Sequence, residues 1–240
     1  MLAEIVPPLV EADEAFGDVP GELLFPEEEA VVARAVDKRR REFIAARACA
    51  RAGLARLGVP PAPILPGLRG APQWPPGIVG SMTHCAGYRG SAVARAEDML
   101  TVGVDAEPDD RLPAGVLDAV AVADERAGLD ALASAAQEPS WDRLLFCAKE
   151  AVYKAWFPLT QRWLGFKEAV VTITPADGTF TARLLVEGPV LDGRPLTGFT
   201  GRWLARDGLI LTAIAVPRRY RSPGIGLPGA RVAFPATDRR

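Results

Sequence analysis

Two short stretches of the sequence carry acidic and basic residues at spacings that suit chemistry on a phosphate. In VGVDAEP, Asp105 and Glu107 lie two positions apart at the end of an apolar run. In a strand, side chains at that spacing point to the same face. Two like charges side by side are costly unless a cation or a basic group joins them. The stretch therefore indicates either a solvated strand end or a cation site.

The second stretch, FCAKEAVYKAW, predicts a helix that carries Lys149, Glu150 and Lys154. Glu150 and Lys154 have the i,i+4 spacing of an ordinary surface salt bridge. The flanking residues are almost all apolar, which leaves little room for a solvated face. If Glu150 joined Asp105 and Glu107, the three carboxylates would suit Mg²⁺ together with a substrate phosphate. The lysines would then neutralise phosphate charge that the metal leaves.

The composition of the chain limits the classes of partner. It has 240 residues, 49 % of them hydrophobic, a net charge of −2 and a mean hydropathy of +0.09. This gives no global reason to expect nucleic acid or an anionic membrane. No apolar run reaches the roughly 18 residues of a membrane span, and no signal-peptide layout is visible. Three widely spaced cysteines argue against a disulfide framework or a zinc site, so we expect a cytoplasmic protein.

The elements that must position these residues form an α+β pattern. A helical pattern over 26–58, as one long helix or two abutting ones, precedes a proline-rich connector. A hairpin is predicted next, and then the strand that carries Asp105 and Glu107. Helical patterns follow over 112–136, with a break near Gly128, and from Ser140, which can cap its helix. Two further hairpins turn at ADGT and RDG.

The motifs together resemble the Sfp-type 4′-phosphopantetheinyl transferases. VGVDAE and, about forty residues later, FCAKEAVYKAW are similar to that family's Gly-x-Asp-x-Glu strand and Lys-Glu-Ala-x-x-Lys helix. GSMTHC resembles the family's Ser/Thr-His segment, and DKRRREFIAAR resembles its basic first helix. These blocks span roughly residues 38–165, and KAWFPLTQRWLGF is most similar to the actinobacterial branch of EntD/PptT-like members.

The resemblance implies an α+β fold of two similar, pseudo-symmetric halves with the active site in the crevice between them. We expect an N-terminal half over 1–104, a C-terminal half over 105–220 and a loose tail over 221–240. The implied reaction moves 4′-phosphopantetheine from coenzyme A (CoA), the co-substrate, to a serine of an apo acyl or peptidyl carrier protein and releases 3′,5′-ADP. Such carriers serve fatty acid, polyketide or nonribosomal peptide synthesis. Mg²⁺ or Mn²⁺ is the implied metal, and a monomer without nucleic-acid or membrane partners is expected.

The resemblance also implies roles for single residues. Asp105, Glu107 and Glu150 would bind the metal. Glu150 would take the serine proton, directly or through a metal-bound water, and Lys154 would neutralise the transferred phosphoryl group. The implied CoA contacts are Arg39, Arg47, Arg69, Ser81, His84, Lys149 and Lys154. Two departures stand out: relatives carry a lysine near Pro66, where only Arg69 can serve here, and Ala106 offers no side-chain ligand. The helical stretch 112–129 is the expected carrier-docking rim.

Other interpretations remain open on the sequence alone. A lone histidine such as His84 is more often structural than a ligand, and the basic run at 38–41 is ordinarily a solvated helix face. Ser81 beside His84 is no hydrolase signature, because the Gly-x-Ser-x-Gly turn is missing around it. Trp141, Trp156, Trp163 and Trp203 are expected in the core. Two rival functions are another Mg²⁺-dependent enzyme that cleaves a pyrophosphate and a non-catalytic CoA-binding protein.

Overall fold

The computed structural model describes residues 1–136, 139–191 and 193–218. The described residues contain two large antiparallel sheets, each of which carries one helix of 20 residues, and a short two-stranded ribbon. The first sheet has the strand order β1-β3-β2, and helix α2 packs on it. The elements of this part are β1 Val10–Phe16, α1 Pro26–Val32, α2 Asp37–Arg56, β2 Ile78–Cys85 and β3 Tyr88–Arg95.

The second sheet has five strands in the order β4-β10-β9-β6-β5. Helix α5 lies across one face of it, where its apolar stripe builds the larger core with side chains such as Leu144, Trp156, Phe180 and Ile214. The elements of this part are β4 Met99–Pro108, α3 Val116–Val120, α4 Ala123–Ala135, α5 Trp141–Thr160, β5 Ala169–Thr174, β6 Thr179–Leu184, the short ribbon β7 Val190–Leu191 and β8 Arg194–Pro195, β9 Gly198–Arg206 and β10 Leu209–Pro217.

Strand β4 lies between the two cores, and its alternating side chains serve both. Val102 and Val104 point toward the first sheet and pack in a cluster with buried residues of β3 and β10. Thr101, Gly103 and Asp105 point toward α5. The period-2 alternation of a strand therefore puts the acidic end of β4 on the side of the helix that carries Glu150 and Lys154.

The α+β class predicted from the sequence is confirmed, with three local differences. Of the two forms expected for the pattern over 26–58, the structure has two helices, α1 and α2. Strand β1 was missed because its sequence, VEADEAF, reads as acidic; Glu14 is nevertheless bound by the Tyr88 hydroxyl at 2.8 Å. The helical break lies between α3 and α4, and Gly128 is an exposed position inside α4. Ser140 is the N-cap residue of α5, but within the described residues its side chain makes no capping hydrogen bond. Its main-chain N–H instead donates to Asp109 Oδ1 at 2.8 Å.

The predicted division of the chain falls inside a strand, since β4 runs from Met99 to Pro108 across the boundary at 104/105. The two-half division stays a prediction, and the predicted loose tail at 221–240 lies outside the described residues. Within the described ranges, every helix is too short or too polar to cross a membrane.

Candidate active site

The site begins where α5 packs unusually close to β4. A Cβ atom on Gly103 would collide with the Ala151 carbonyl oxygen and would lie 2.6 Å from the Ala155 nitrogen. Thr101 adds a hydrogen bond from its Oγ1 to the Ala155 carbonyl oxygen at 2.9 Å. Only glycine permits this approach at position 103. The glycine of the VGVDAE motif therefore sets the distance across which α5 reaches the acidic end of β4.

Lys154 and Asp105 form the central ion pair of the site. Lys154 Nζ donates to Asp105 Oδ1 at 2.7 Å and to the Val104 carbonyl oxygen at 3.1 Å. Burial alone would lower the pKa of Lys154, but the neighbouring Asp105 carboxylate raises it, so the ammonium stays charged. The structure thus joins these two residues of the sequence prediction directly.

Two hydroxyl side chains of β2 hold the acidic end of β4 in place. Thr83 Oγ1 donates to Asp105 Oδ1 at 3.1 Å and accepts from the Ala106 N–H at 3.0 Å. Ser81 Oγ accepts from the Val104 N–H at 3.1 Å. Thr83 was not among the residues predicted for the site, although its i+2 spacing from Ser81 in a strand was the available signal.

The second oxygen of Asp105 is the feature that fits a metal ion. Asp105 is only 5 % exposed, and among the described residues its Oδ2 has no hydrogen-bond partner. A buried carboxylate oxygen without a partner costs about 1–3 kcal/mol. Burial first, and the charge of Asp105 second, also raise the pKa values of Glu107 and Glu150. A bound Mg²⁺ would reduce the repulsion among these three carboxylates and would bind the buried Oδ2 of Asp105.

The three carboxylates are nevertheless not gathered into one ready ligand set. Over residues 1–136, 139–191 and 193–218, no three His, Cys, Asp or Glu side chains lie close enough to hold a metal ion. Glu107 Oε2 instead accepts from Arg143 Nη1 at 3.0 Å. Arg143 also donates to the carbonyl oxygens of Asp110 and Arg111, which fixes its position. Arg143 thus occupies one of the two Glu107 oxygens and leaves Oε1 for a metal.

Lys149 lies on a different side of α5 from Lys154. Five residues of an α-helix turn by about 500°, which leaves the two side chains about 140° apart. Lys149 is 3 % exposed, and its Nζ contacts Glu125 Oε1 at 2.9 Å and the carbonyl oxygens of Phe166 and Ala169 at 2.6 and 2.9 Å. All three of its donors thus face protein acceptors. The sequence led us to expect Lys149 on the phosphate side of the site, and the structure does not place it there.

A basic pocket of about 380 Å³ opens between α2 and β2 and is lined by Arg39, Arg47, His84 and Glu42, among others. Arg39 Nη1 donates to His84 Nε2 at 3.0 Å, so this ring nitrogen acts as the acceptor. Burial, then the positive charge of Arg39, lowers the pKa of His84, which keeps the ring neutral at pH 7. The pocket joins two residues that lie 45 positions apart in the sequence.

Arg47 lies deeper in this pocket than Arg39. Its Nε donates to the Ile64 carbonyl oxygen at 3.0 Å, and its guanidinium stacks 3.1 Å from the centre of the Phe43 ring. Burial lowers the pKa of Arg47 to about 10, although the Glu28 carboxylate partly opposes this. Arg47 is therefore a fixed, charged residue in the wall of the pocket, whereas Arg39 is exposed.

Two more pockets continue the crevice. A central pocket of about 370 Å³, with Ser81, Glu150 and Lys154 in its lining, shares Gly70, Pro72 and Met82 with the basic pocket. An apolar pocket of about 470 Å³ shares Arg69, Glu150 and Tyr153 with the central one. Its other lining residues are Lys149, Val152, Trp163, Leu164, Gly165, Phe166 and Ala169.

Arg69 stands between the central and apolar pockets. It adopts a left-handed backbone conformation with φ 54°, and its guanidinium lies 5.2 Å from the centre of the Trp163 ring. Trp163 is 56 % exposed, so the expectation that it belongs to the core was wrong. The connector thus places Arg69, the substitute expected for the lysine of relatives, at the crevice.

Comparison with known proteins identifies the family of the chain. Residues 27–94 match the model of the 4′-phosphopantetheinyl transferase N-terminal domain, and residues 101–195 match that of the 4′-phosphopantetheinyl transferase superfamily. The chain belongs to the 4′-phosphopantetheinyl transferase family. This membership confirms the family and the class of enzyme predicted from the motifs.

The similarity to three transferases extends over most of this chain and of theirs. The 4′-phosphopantetheinyl transferase Svp of Streptomyces mobaraensis is 54 % identical over 100 % of this chain and 98 % of its own length. PptT of Mycobacterium tuberculosis is 52 % identical over 90 % of this chain and 98 % of its own. Npt of Nocardia iowensis is 53 % identical over 90 % and 99 %.

Proposed function

We propose that the protein transfers 4′-phosphopantetheine from CoA to a serine of an apo acyl or peptidyl carrier protein. The observation that carries this proposal is the order in which the three pockets follow one another along the crevice. A basic pocket leads to a pocket with a lysine and a carboxylate, and that pocket leads to an apolar one. CoA has the same order, from a 3′-phosphorylated adenosine through a pyrophosphate to the less polar pantetheine arm.

The basic pocket would bind the 3′-phosphate and adenine end of CoA. Arg47 supplies a fixed guanidinium in the wall, and Arg39 supplies a second one at the opening. Guanidinium groups bind phosphate with two parallel hydrogen bonds. The neutral His84 holds Arg39 through Nε2 and adds no charge, so the two arginines supply the attraction.

The central pocket would bind the pyrophosphate. Lys154 points into it with a charged ammonium held in place by Asp105, as expected for a group that neutralises the transferred phosphoryl. Mg²⁺ or Mn²⁺ would be held by Asp105 Oδ2, by Glu150 and by Glu107 Oε1. When bound, the metal supplies positive charge next to the pyrophosphate.

The reaction then needs one proton acceptor and one leaving group. The carrier serine Oγ attacks the phosphorus next to the pantetheine, forming a new P–O bond. The bond from that phosphorus to the bridging oxygen breaks, and its electron pair leaves with 3′,5′-ADP. Glu150 lines the central pocket and would accept the serine proton, directly or through a water molecule.

The apolar pocket would bind the pantetheine arm beyond the pyrophosphate. Tyr153 lines both this pocket and the central one, and within the described part of the chain its buried hydroxyl has no hydrogen-bond partner. An amide of the pantetheine would satisfy it. We leave Lys149 out of the proposed phosphate contacts because Glu125 and two carbonyl oxygens surround its ammonium. Carrier docking at 112–129, now α3 and the start of α4, stays a proposal.

Intact mass spectrometry of a carrier protein tests this function. The protein, CoA and Mg²⁺ are mixed with an apo carrier, and we expect a mass gain of one phosphopantetheine that EDTA abolishes. Glu150→Gln keeps the shape and removes the charge, so the gain should be lost; Glu97→Gln makes the same change at an exposed turn and should keep it. Loss of CoA without a carrier would favour the pyrophosphate-cleaving alternative, and tight CoA binding without any product would favour the non-catalytic one.

A further inference from the structure

A buried ion pair on α4 and α5 has no part in the chemistry proposed above. Glu125 of α4 and Lys149 of α5 are 4 % and 3 % exposed, and their charged atoms lie 2.9 Å apart. Glu125 Oε1 also accepts from the Val171 N–H at 2.7 Å, and Glu125 Oε2 accepts from the Val122 N–H at 2.8 Å. Each carboxylate oxygen of the pair therefore has a donor from the protein.

The main-chain groups bound by Lys149 belong to the wall of the apolar pocket. Phe166 and Ala169 both line that pocket, as does Lys149 itself. The ammonium holds the Phe166 carbonyl at 2.6 Å and the Ala169 carbonyl at 2.9 Å, so one side chain fixes both ends of a four-residue segment. The Phe166 ring also stacks on Phe146 of α5 with their centres 5.6 Å apart.

The Glu125–Lys149 pair binds main-chain groups that apolar packing of α4 could not bind. Leu129 and Leu132 already pack α4 into the larger core, so the helix does not depend on the ion pair alone. A buried ion pair is costly unless every charged atom is bound, and apolar residues of similar volume often stabilise a protein as well. Apolar residues cannot, however, bind the carbonyl oxygens of Phe166 and Ala169 or the N–H of Val171. The specific result of the pair is the position of this main chain.

We propose that Glu125 is a positioning residue for the apolar pocket. It orients the Lys149 ammonium, and Lys149 holds the segment from Phe166 to Ala169 in the shape that accepts the pantetheine arm of CoA. This inference rests on the proposed function, since it assigns that arm to the apolar pocket. Glu125 itself touches neither substrate nor reacting atoms.

Two ligands separate this role from a general effect on the fold. CoA would fill the basic, central and apolar pockets, whereas 3′,5′-ADP lacks the pantetheine arm and the phosphate attached to it. Both are titrated calorimetrically, with Mg²⁺, into the wild type and Glu125→Gln. We expect the variant to bind CoA about tenfold more weakly, a loss comparable to one hydrogen bond to a charged group, and to bind 3′,5′-ADP within about twofold of the wild type.

The matched control is Asp124→Asn, which removes the same charge from the neighbouring, exposed position of α4. It should bind both ligands as the wild type does. If Glu125→Gln does not fold, Glu125→Leu combined with Lys149→Met replaces the whole pair with apolar residues, and the same selective loss of CoA affinity is expected. Faster amide hydrogen exchange at 165–169 in either variant would support the role independently of CoA.

Three results would overturn the inference. One is unchanged CoA affinity in the variant that folds. Another is an equal loss for CoA and 3′,5′-ADP, because a wall of the apolar pocket cannot affect a ligand that does not reach it. The third is a wild type that binds neither ligand, in which case the proposed function itself fails and the inference fails with it.

Discussion

Lys149 and Lys154 lie five residues apart on one helix and in one motif, yet they do opposite work. The Lys149 side chain is 2 % exposed and binds only protein acceptors, on the side of α5 that faces α4 and β5. The Lys154 side chain is 26 % exposed and lines the central pocket. Asp105, to which it donates, has one oxygen, Oδ2, that accepts no hydrogen bond from the described residues. A lysine whose network is complete holds structure, whereas one whose network is incomplete is placed to meet a ligand.

The largest effect should be on stability, when the buried network of Lys149 is removed. Lys149→Met leaves the Glu125 carboxylate buried without its counter-charge, so the free energy of unfolding should fall by about 3–5 kcal/mol. Urea denaturation followed by circular dichroism measures this. Lys167→Met, a change at an exposed lysine, should lose little. A Lys149→Met protein as stable as the wild type would show that the two lysines do not differ in this way.

Removing the other lysine should act on the rate of transfer. Lys154→Met takes away the ammonium that neutralises the transferred phosphoryl group, and kcat/KM for carrier modification should fall about 10²–10³-fold. The rate is followed by mass spectrometry of the carrier, with circular dichroism confirming that the variant is folded. Lys167→Met again serves as the control, with its rate expected to match the wild type. An unchanged kcat/KM in a folded Lys154→Met protein would contradict the role assigned to Lys154.

The incomplete network around Asp105 should also respond to metal. Free Mg²⁺ at about 100 times its Kd should stabilise the folded protein by about 2.7 kcal/mol, which raises Tm by about 5–10 °C in a chain of this size. Calorimetry with and without Mg²⁺ measures the shift. Asp105→Asn should abolish it, and Asp124→Asn on α4 should keep it. An equal shift in all three proteins would place Mg²⁺ binding elsewhere.

The residues of the candidate site could be predicted from the sequence more completely than the contacts around them. Asp105 follows from strand alternation and the end of an apolar run, and Glu150 and Lys154 follow from a helix with too little polar surface. Lys149 was expected to contact CoA on the resemblance alone, because spacing gives the angle between two side chains on a helix but not which of them faces the strand.

The partners of these residues were beyond sequence reasoning for a common physical reason. Glu125 precedes Lys149 by 24 positions and reads as a first-turn acid of a surface helix; only the packing of α4 against β5 buries it. Arg143 likewise reads as a solvated residue of α5, and its ion pair with Glu107 depends on how β4 ends. Such contacts join elements whose relative placement no local pattern contains.

The Glu125–Lys149 pair has a second consequence, for contacts between copies of the chain. Strand β5 is at the edge of its sheet, where unpaired main-chain groups would ordinarily offer a template to another strand. Here the Val171 N–H is bound by Glu125 and the Ala169 carbonyl by Lys149. Two charged side chains occupy the place that a neighbouring strand would take, so this stretch of the sheet is closed to growth by edge-to-edge aggregation.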